Sequence, residues 1–279
     1  MLNAPRRLAV WGDPVSQSRS PQLHAAAYAE LGRDWSYGRQ QVDAASFDSA
    51  LAALDSTWHG LSVTYPLKGA AFAASVVRDA RAEATGAVNT LLLTSDGPHG
   101  FNTDIGGLVG ALREEGISAV THGRIVGAGA TATSALVALA ELGATSVDVV
   151  ARRPDAVQPL VGLGERLAVT VRPAAFDAPS HAHADVTIAT LPGEAVLDAD
   201  AADRLASAGG LLLDVVYGHW PTDLAAAWER AGTPAISGLG MLLHQALLQV
   251  RIFVAGDPET PLAGESDVLA AMRRAVVGD

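Results

Sequence analysis

The sequence predicts an α/β protein of two domains. Three observations carry this. Up to Asp104, short apolar strands alternate with helix-length segments. Beyond it, "GRIVGAGATATSALVALAELGATSVDVVARR" (123–153) runs apolar strand, glycine turn, long apolar helix, Gly143 and apolar strand. The later strands are uninterrupted apolar runs, the mark of a parallel sheet buried on both faces. With 279 residues, 49% of them hydrophobic and 18% charged, there is enough apolar material for two modest cores.

Taken in order, "RLAVWG" (7–12) is a short buried strand followed by the loop "DPVSQSRS". "PQLHAAAYAELG" (21–32) is a helix with Ser20 as N-cap, Pro21 at its first position and Gly32 at its end. "WSYGRQQV" is a second strand, "SFDSALAAL" a second helix and "GLSVT" a third strand, after which Pro66 opens the next helix. "GAVNTLLLT" and "GPHGFNTD" form a strand, a turn and a return. "DIGGLVGALREEG" (104–116) is a helix suited to bridging two domains. "LAVTV", "DVTIATL", "GLLLDVVY" and "PAIS" are the later strands, with helices between them. The loosest segment, "RPAAFDAPSHAHAD" (172–185), reads as a surface connection. "GMLLHQALLQVRIFVAG" and "ESDVLAAMRRAVVG" close the chain as two helices.

A net charge of -11 argues against nucleic acid or an anionic membrane as the main partner. A small anionic ligand held by a few local cations remains compatible. The absence of cysteine excludes disulfides, thiolate chemistry and Cys-based zinc sites. The opening "MLNAPRRLAVWGDP" has no apolar run long enough for a signal peptide, and no run of apolar residues suits a spanning helix. A cytoplasmic protein is expected. His181-x-His183 is the one metal-like spacing, but it lies in the loosest segment without a nearby ligand partner, so no metal is expected.

Gly127-Ala128-Gly129-Ala130-Thr131-Ala132 fits G-x-G-x-x-G/A, between a strand and a helix within a βαβ unit. Gly127 lets the chain turn sharply, and Gly129, lacking Cβ, lets backbone approach a pyrophosphate. The helix N-terminus adds free N–H groups and a positive dipole end. A glycine turn that merely connects strand and helix is the plainer alternative. The next strand ends "VVARR", with Arg152 and Arg153 where an NAD site usually places a carboxylate. A carboxylate repels a 2′-phosphate, whereas a guanidinium fork pairs with it. The expected cofactor is therefore NADP, unless the arginines are only a solvated strand end.

The first domain gathers hydroxyls and amides at strand ends and in loops: Ser18, Ser20, Thr64, Asn89 and Asn102-Thr103-Asp104, with Lys68 among them. Such groups suit a small polyhydroxylated acid. Each also has a structural reading. Ser20 and Asp104 could cap helices, and Asn89 could cap a turn.

In this order the motifs resemble those of the shikimate dehydrogenase family over nearly the whole chain. "WGDPVSQSRSPQLH" is similar to its G-x-P-x-x-x-S-x-S-P-x-x-H signature and "SVTYPLK" to N-V-T-x-P-x-K. "GAVNTL" matches as it stands, and "GFNTD" resembles G-x-N-T-D. "GAGATA" and "VARR" lie where the family's cofactor turn and phosphate clamp lie, and "DVVY" and "GMLLHQA" match its late motifs. The resemblance implies a substrate domain over 1–103, a Rossmann-type NADP-binding domain over 104–237, and C-terminal helices, 238–279, that return to the substrate domain.

The resemblance also implies roles. Ser18 and Ser20 would hold a substrate carboxylate. Thr64, Asn89 and Gln245 would hold ring hydroxyls, with Tyr217 near the same pocket. Lys68 and Asp104 would be the catalytic pair. Gly127, Gly129 and Ala130 would cradle the pyrophosphate, Arg152 and Arg153 the 2′-phosphate, and Gly238 would sit near the nicotinamide. The implied reaction is reversible reduction of 3-dehydroshikimate to shikimate with NADPH, in a monomer or homodimer. Two other readings are a quinate/shikimate dehydrogenase using NAD, against which "VARR" speaks, and a non-catalytic NADP-binding sensor, whose expected mark is loss of Lys68 or Asp104. The chain departs from the family pattern at Gln17, Ser62, Ile105, Ala151, Arg153, His219 and Asp223. None of these removes a proposed catalytic group.

Overall fold

A computed structural model of the chain describes residues 5–178, 181–218 and 220–277. It divides into two compact units, Met1–Gly107 with Leu243–Asp279, and Leu108–Leu242. Each limit falls inside a helix, a few residues along from the one expected.

The first unit is built on β1 (Arg6–Gly12), α1 (Ser20–Glu30), β2 (Trp35–Gln41), α2 (Phe47–Ala52), β3 (Trp58–Val63), α3 (Lys68–Ala74), β4 (Val77–Arg78), α4 (Ala80–Thr85), β5 (Thr90–Thr94), β6 (Gly97–Phe101) and the start of α5 (Asp104–Glu114). Its sheet runs β2-β1-β3-β5-β6-β4. β1, β2 and β3 are parallel, whereas β5 runs antiparallel to both β3 and β6. The direction of these strands makes the site. β1, β3 and β6 all end at the edge where β5 begins, with Ser62 opposite Thr90 and Thr90 opposite Phe101. Residues 13–19, 64–67, Asn89 and 102–104 therefore share one edge of the sheet. Beneath it, Trp11, Phe47, Leu61, Leu67 and Leu91 form a sealed core, with Trp11 edge-on to Phe47 at 6.0 Å. Burying side chains of this size contributes roughly 1.5–3 kcal/mol apiece, which fixes the strand ends that carry the polar groups.

The second unit holds the rest of α5, β7 (His122–Val126), α6 (Ala130–Glu141), β8 (Ser146–Val150), α7 (Gln158–Arg166), β9 (Thr170–Ala174), β10 (Ala184–Ala189), α8 (Ala199–Ser207), β11 (Gly209–Asp214), α9 (Asp223–Ala231), β12 (Ala235–Ser237) and the start of α10 (Leu239–Ala255). Its sheet, β12-β11-β10-β7-β8-β9, is parallel throughout. Four consecutive residues of β7, β8, β10 and β11 are buried, as a sheet covered on both faces requires, and the apolar runs are interrupted there by buried Arg124, Asp148, Thr187 and Asp214. The order reverses at β7, which lies between β8 and β10 and creates a crevice at its carboxyl end. α10 carries the chain back to the first unit, where α11 (Glu265–Val277) packs on α1. There Arg19 Nη1 donates to the Val276 carbonyl at 2.9 Å.

Several local expectations are corrected. Ser20 is the first residue of α1, not its cap: Arg19 holds the cap position, and the Ser18 hydroxyl accepts the Ser20 N–H at 3.3 Å. Pro66 does not open α3. A turn closed by Leu67 N–H on the Thr64 carbonyl (2.8 Å) comes first, and the helix begins at Lys68. Asp104 is likewise a first helical residue rather than an N-cap, its own N–H taken by Asn102 Oδ1 at 3.1 Å. The "LAVTV" strand is displaced because Leu167 and Val169 close the end of α7, with Ala168 at φ 56°. Pairing resumes only at Thr170, so residues 172–174 belong to β9 rather than to a surface connection. β4 and α4 give no strong sequence signal. Asp79 caps α4 through the Ala82 N–H at 2.7 Å.

Among the described residues no helix is long and apolar enough to cross a membrane, and no cluster of three or more His, Asp or Glu is suited to a metal ion. His219 lies outside the described residues.

Candidate active site

Lys68 is brought to the edge of the first sheet by the turn after β3, and Leu67, fully buried, pins that turn. Its Nζ donates to Asp104 Oδ2 at 2.5 Å, with side chains 20% and 9% exposed. The other carboxylate oxygen of Asp104 accepts Asn89 Nδ2 at 2.8 Å. Asn89 serves twice. Its Oδ1 caps the turn by accepting the Thr103 N–H at 2.9 Å, and its amide nitrogen also meets Thr103 Oγ1 at 2.9 Å. Lys68, Asn89 and Asp104, expected to act together, are therefore hydrogen-bonded to one another. A half-buried pair of this kind loses hydration, and hydrogen bonds on its remaining lone pairs offset the loss. Asn89 supplies one of them.

Ser18 and Ser20 also meet. The Ser18 hydroxyl donates to Ser20 Oγ at 3.2 Å. The Ser18 carbonyl is clamped by Arg39 through Nε (3.0 Å) and Nη2 (2.8 Å), so an exposed guanidinium from β2 fixes the serine loop. Thr64, half-buried, lies in the turn before Lys68, and its hydroxyl makes no hydrogen bond among the described residues. Gln245 is buried on α10 in the same unit. Tyr217 and Gly238 belong to the second unit. Tyr217 lies beyond β11, which stops at Asp214. A Cβ on Gly238 would fall 2.1 Å from the Val215 carbonyl oxygen, so this glycine has a packing reason of its own.

Sequence reasoning missed the groups behind these. Tyr37 donates to Ser62 Oγ at 2.5 Å, and Ser62 donates to Gln249 Oε1 at 2.7 Å. Burial pushes the Tyr37 phenol up, while hydrogen bonds with Ser62 and Ser20 oppose that rise. Ser62, where the family motif has Asn, is thus committed to the interior. His24 stacks on Tyr37 with ring centroids 4.0 Å apart. Burial lowers the His24 pKa to about 3, against a smaller opposing effect of Gln249. It is a neutral, structural histidine. Pairs so distant in sequence as His24 and Gln249 give no local signal.

In the second unit, Gly127 adopts φ +116°, and a Cβ there would lie 2.5 Å from Thr190 Oγ1. The turn at the end of β7 thus requires glycine twice over, for conformation and for space. Gly129 is the N-cap of α6, with nothing within 4 Å of where a Cβ would be. Ala130 begins that twelve-residue helix, whose first N–H groups face the crevice end of the sheet. Arg152 and Arg153 follow β8 after Ala151, are exposed, and their guanidiniums form no hydrogen bond or ion pair among the described residues. Open backbone at a helix N-terminus beside two uncommitted guanidiniums fits a phosphorylated dinucleotide. His181, from the spacing read as metal-like, has a buried, unpartnered Nε2, and burial lowers its pKa. It joins no ligand cluster among the described residues.

Comparison with known proteins agrees. Residues 10–91 match the family model described as the shikimate dehydrogenase substrate binding domain. The shikimate dehydrogenase (NADP(+)) of Anaeromyxobacter sp. strain Fw109-5 is 37% identical over 263 residues, covering 91% of this chain and 93% of that protein. The crystal structure of Mycobacterium tuberculosis shikimate dehydrogenase superposes with a TM-score of 0.84 at 44% identity, covering 96% of this chain and 99% of that one. Shikimate 5-dehydrogenase from Thermus thermophilus, solved in complex with NADP(H) and shikimate, gives a TM-score of 0.80 at 28% identity over 97% of this chain and 100% of that one. With relatives this similar along almost its full length, the chain belongs to the shikimate dehydrogenase family.

Proposed function

We propose that the protein catalyses the NADP-dependent interconversion of 3-dehydroshikimate and shikimate. The observation that carries this reading is the Lys68–Asp104 pair at 2.5 Å, braced by Asn89, at the sheet edge that also bears Ser18, Ser20 and Thr64. When bound, the nicotinamide cofactor supplies or accepts the hydride at the ring carbon. The chain's own part is to handle the oxygen. In the reducing direction negative charge builds on the former carbonyl oxygen, and an ammonium aimed there acts mainly in the transition state. Lys68 meets that charge and is placed to donate the proton. Asp104 orients the lysine and accepts a hydrogen bond from a ring hydroxyl.

Around this pair, Ser18 and Ser20 bind the substrate carboxylate, and Thr64, Asn89 and Gln245 bind ring hydroxyls. Thr64 has an uncommitted hydroxyl for the task. Asn89 must share its amide between Asp104 and substrate. Gly127, Gly129 and Ala130 receive the pyrophosphate, Gly238 lies beside the nicotinamide, and Arg152 with Arg153 takes the 2′-phosphate. The two arginines and the absence of a carboxylate between Val150 and Arg152 favour NADP over NAD. The test is oxidation of shikimate or quinate with NADP or NAD, followed by cofactor absorbance. Fast turnover of shikimate with NADP is expected. Preference for quinate or NAD would move the protein to the broader-specificity dehydrogenases. Cofactor binding without turnover would make it a sensor.

A further inference from the structure

Behind Asp104 runs a buried line of hydrogen bonds that reaches α10. Gln249 is 2% exposed, Thr90 and His24 are 0%, and Asn89 is 2%. The direction of each bond follows from chemistry. Gln249 stands 3.3 Å from the Asn89 backbone carbonyl, which can only accept, so the glutamine must present its Nε2 there. The same nitrogen donates to Thr90 Oγ1 at 2.9 Å. Having accepted that bond, Thr90 spends its single hydroxyl proton on Asn89 Oδ1 at 2.8 Å. With Oδ1 so engaged, the Asn89 amide nitrogen faces Asp104, whose second oxygen holds Lys68. At the far end Gln249 Oε1 accepts from Ser62 at 2.7 Å and from His24 Nε2 at 3.2 Å. The Nδ1 of His24 is then left to accept the Tyr28 hydroxyl at 3.0 Å. Every member of the line has one consistent role.

Resting on the catalytic reading above, we infer that Thr90 and Gln249 are positioning residues for the reaction: they anchor Asn89, and through it Asp104 and Lys68, to β5 and α10. The Thr103 N–H also engages Asn89 Oδ1, but Thr103 directly precedes Asp104 in the same short loop. Thr90 belongs to the sheet, bonded on one side to β3 and on the other to β6. It ties the pair to a strand held on both sides by the sheet. Gln249 lies one helical turn after Gln245, on the same face of α10. One helix face therefore serves both the proposed ring-hydroxyl contact and the bracing of the catalytic pair.

The variants that test this are Thr90→Val, near-isosteric but unable to accept or donate, Thr90→Ser, which restores the hydroxyl, and Gln249→Met. Kinetics of shikimate oxidation, melting temperature, and crystal structures of the parent and Thr90→Val are compared. Thr90→Val and Gln249→Met should lower kcat about tenfold to a hundredfold, while the KM for NADP stays within about twofold and Thr90→Ser lies within about threefold of the parent. In the Thr90→Val crystal the Asn89 side chain should move and the Lys68–Asp104 contact lengthen. Unchanged turnover in Thr90→Val, an equal loss in Thr90→Ser, or a matching rise in KM for NADP would overturn the inference. So would an unaltered Asn89 and ion pair in the variant crystal. If the parent does not oxidise shikimate, the functional reading fails on its own, and the crystals still decide whether Thr90 positions the pair.

Discussion

The two units build their binding surfaces from different materials. In the first, side chains hold other side chains: Lys68, Asp104, Asn89, Thr90 and Gln249 are bonded in series. In the second, the candidate cofactor surface is backbone, a glycine turn at φ +116° and the start of α6, with two exposed arginines beside it. The contrast follows from the ligands. A pyrophosphate needs several N–H donors around a compact charge, and a helix N-terminus provides them without side chains. A ring that must meet a hydride at one carbon needs groups fixed to within a fraction of an ångström, which buried networks supply.

This division can be broken one side at a time. The largest effect should come from Gly127→Val. Its Cβ would press on Thr190, and a β-branched residue at this φ is strained by about 1–3 kcal/mol. Calorimetry should show NADP binding lost while shikimate binding to the first unit survives; loss of both would mean that the two surfaces are not separately built. Next comes Arg152→Ala. One charge-assisted contact is worth about 1.5–3 kcal/mol, so NADP affinity should fall tenfold or more with NAD affinity nearly unchanged. Equal weakening of both cofactors would remove the phosphate contact from the account.

The smallest effect concerns the far end of the network and is read as stability against pH. His24 has a folded pKa of about 3 against an ordinary value of 6.5. A depressed pKa means that the unfolded state takes up the proton first. The stability held above pH 6.5 is therefore lost as pH falls towards 3, by about 1.4 kcal/mol per pH unit. Chemical denaturation between pH 6.5 and 5 should show that slope reduced in His24→Gln. An identical slope would place the histidine outside the buried network.

This contrast also explains what the sequence made legible. Gly127, Gly129 and the "VARR" strand end lie within one βαβ unit, and the demands on them are local, so spacing alone reveals them. The parallel second sheet was readable because its strands are mostly apolar and are spaced by helix-length segments. The substrate side was readable only as a set of polar residues at strand ends. Its wiring was not: Gln249 meets Thr90 and His24 across most of the chain, and its sequence neighbours are an ordinary apolar helix. Ser62, a departure from the family motif, is held in the interior by Tyr37 and Gln249, which the motif alone does not show. The cap of α1 was misplaced because two serines and a proline stand together, and only geometry shows that Ser18 serves Ser20.

The central claim is that Lys68 acts on charge that appears during the reaction, rather than on the bound ground state. The most direct measurement is Lys68→Met, with shikimate affinity by calorimetry set beside turnover with NADP. Affinity should stay within about threefold of the parent while turnover falls by roughly 10²–10⁴. Near-normal turnover, or a loss of affinity as large as the loss of turnover, would contradict it.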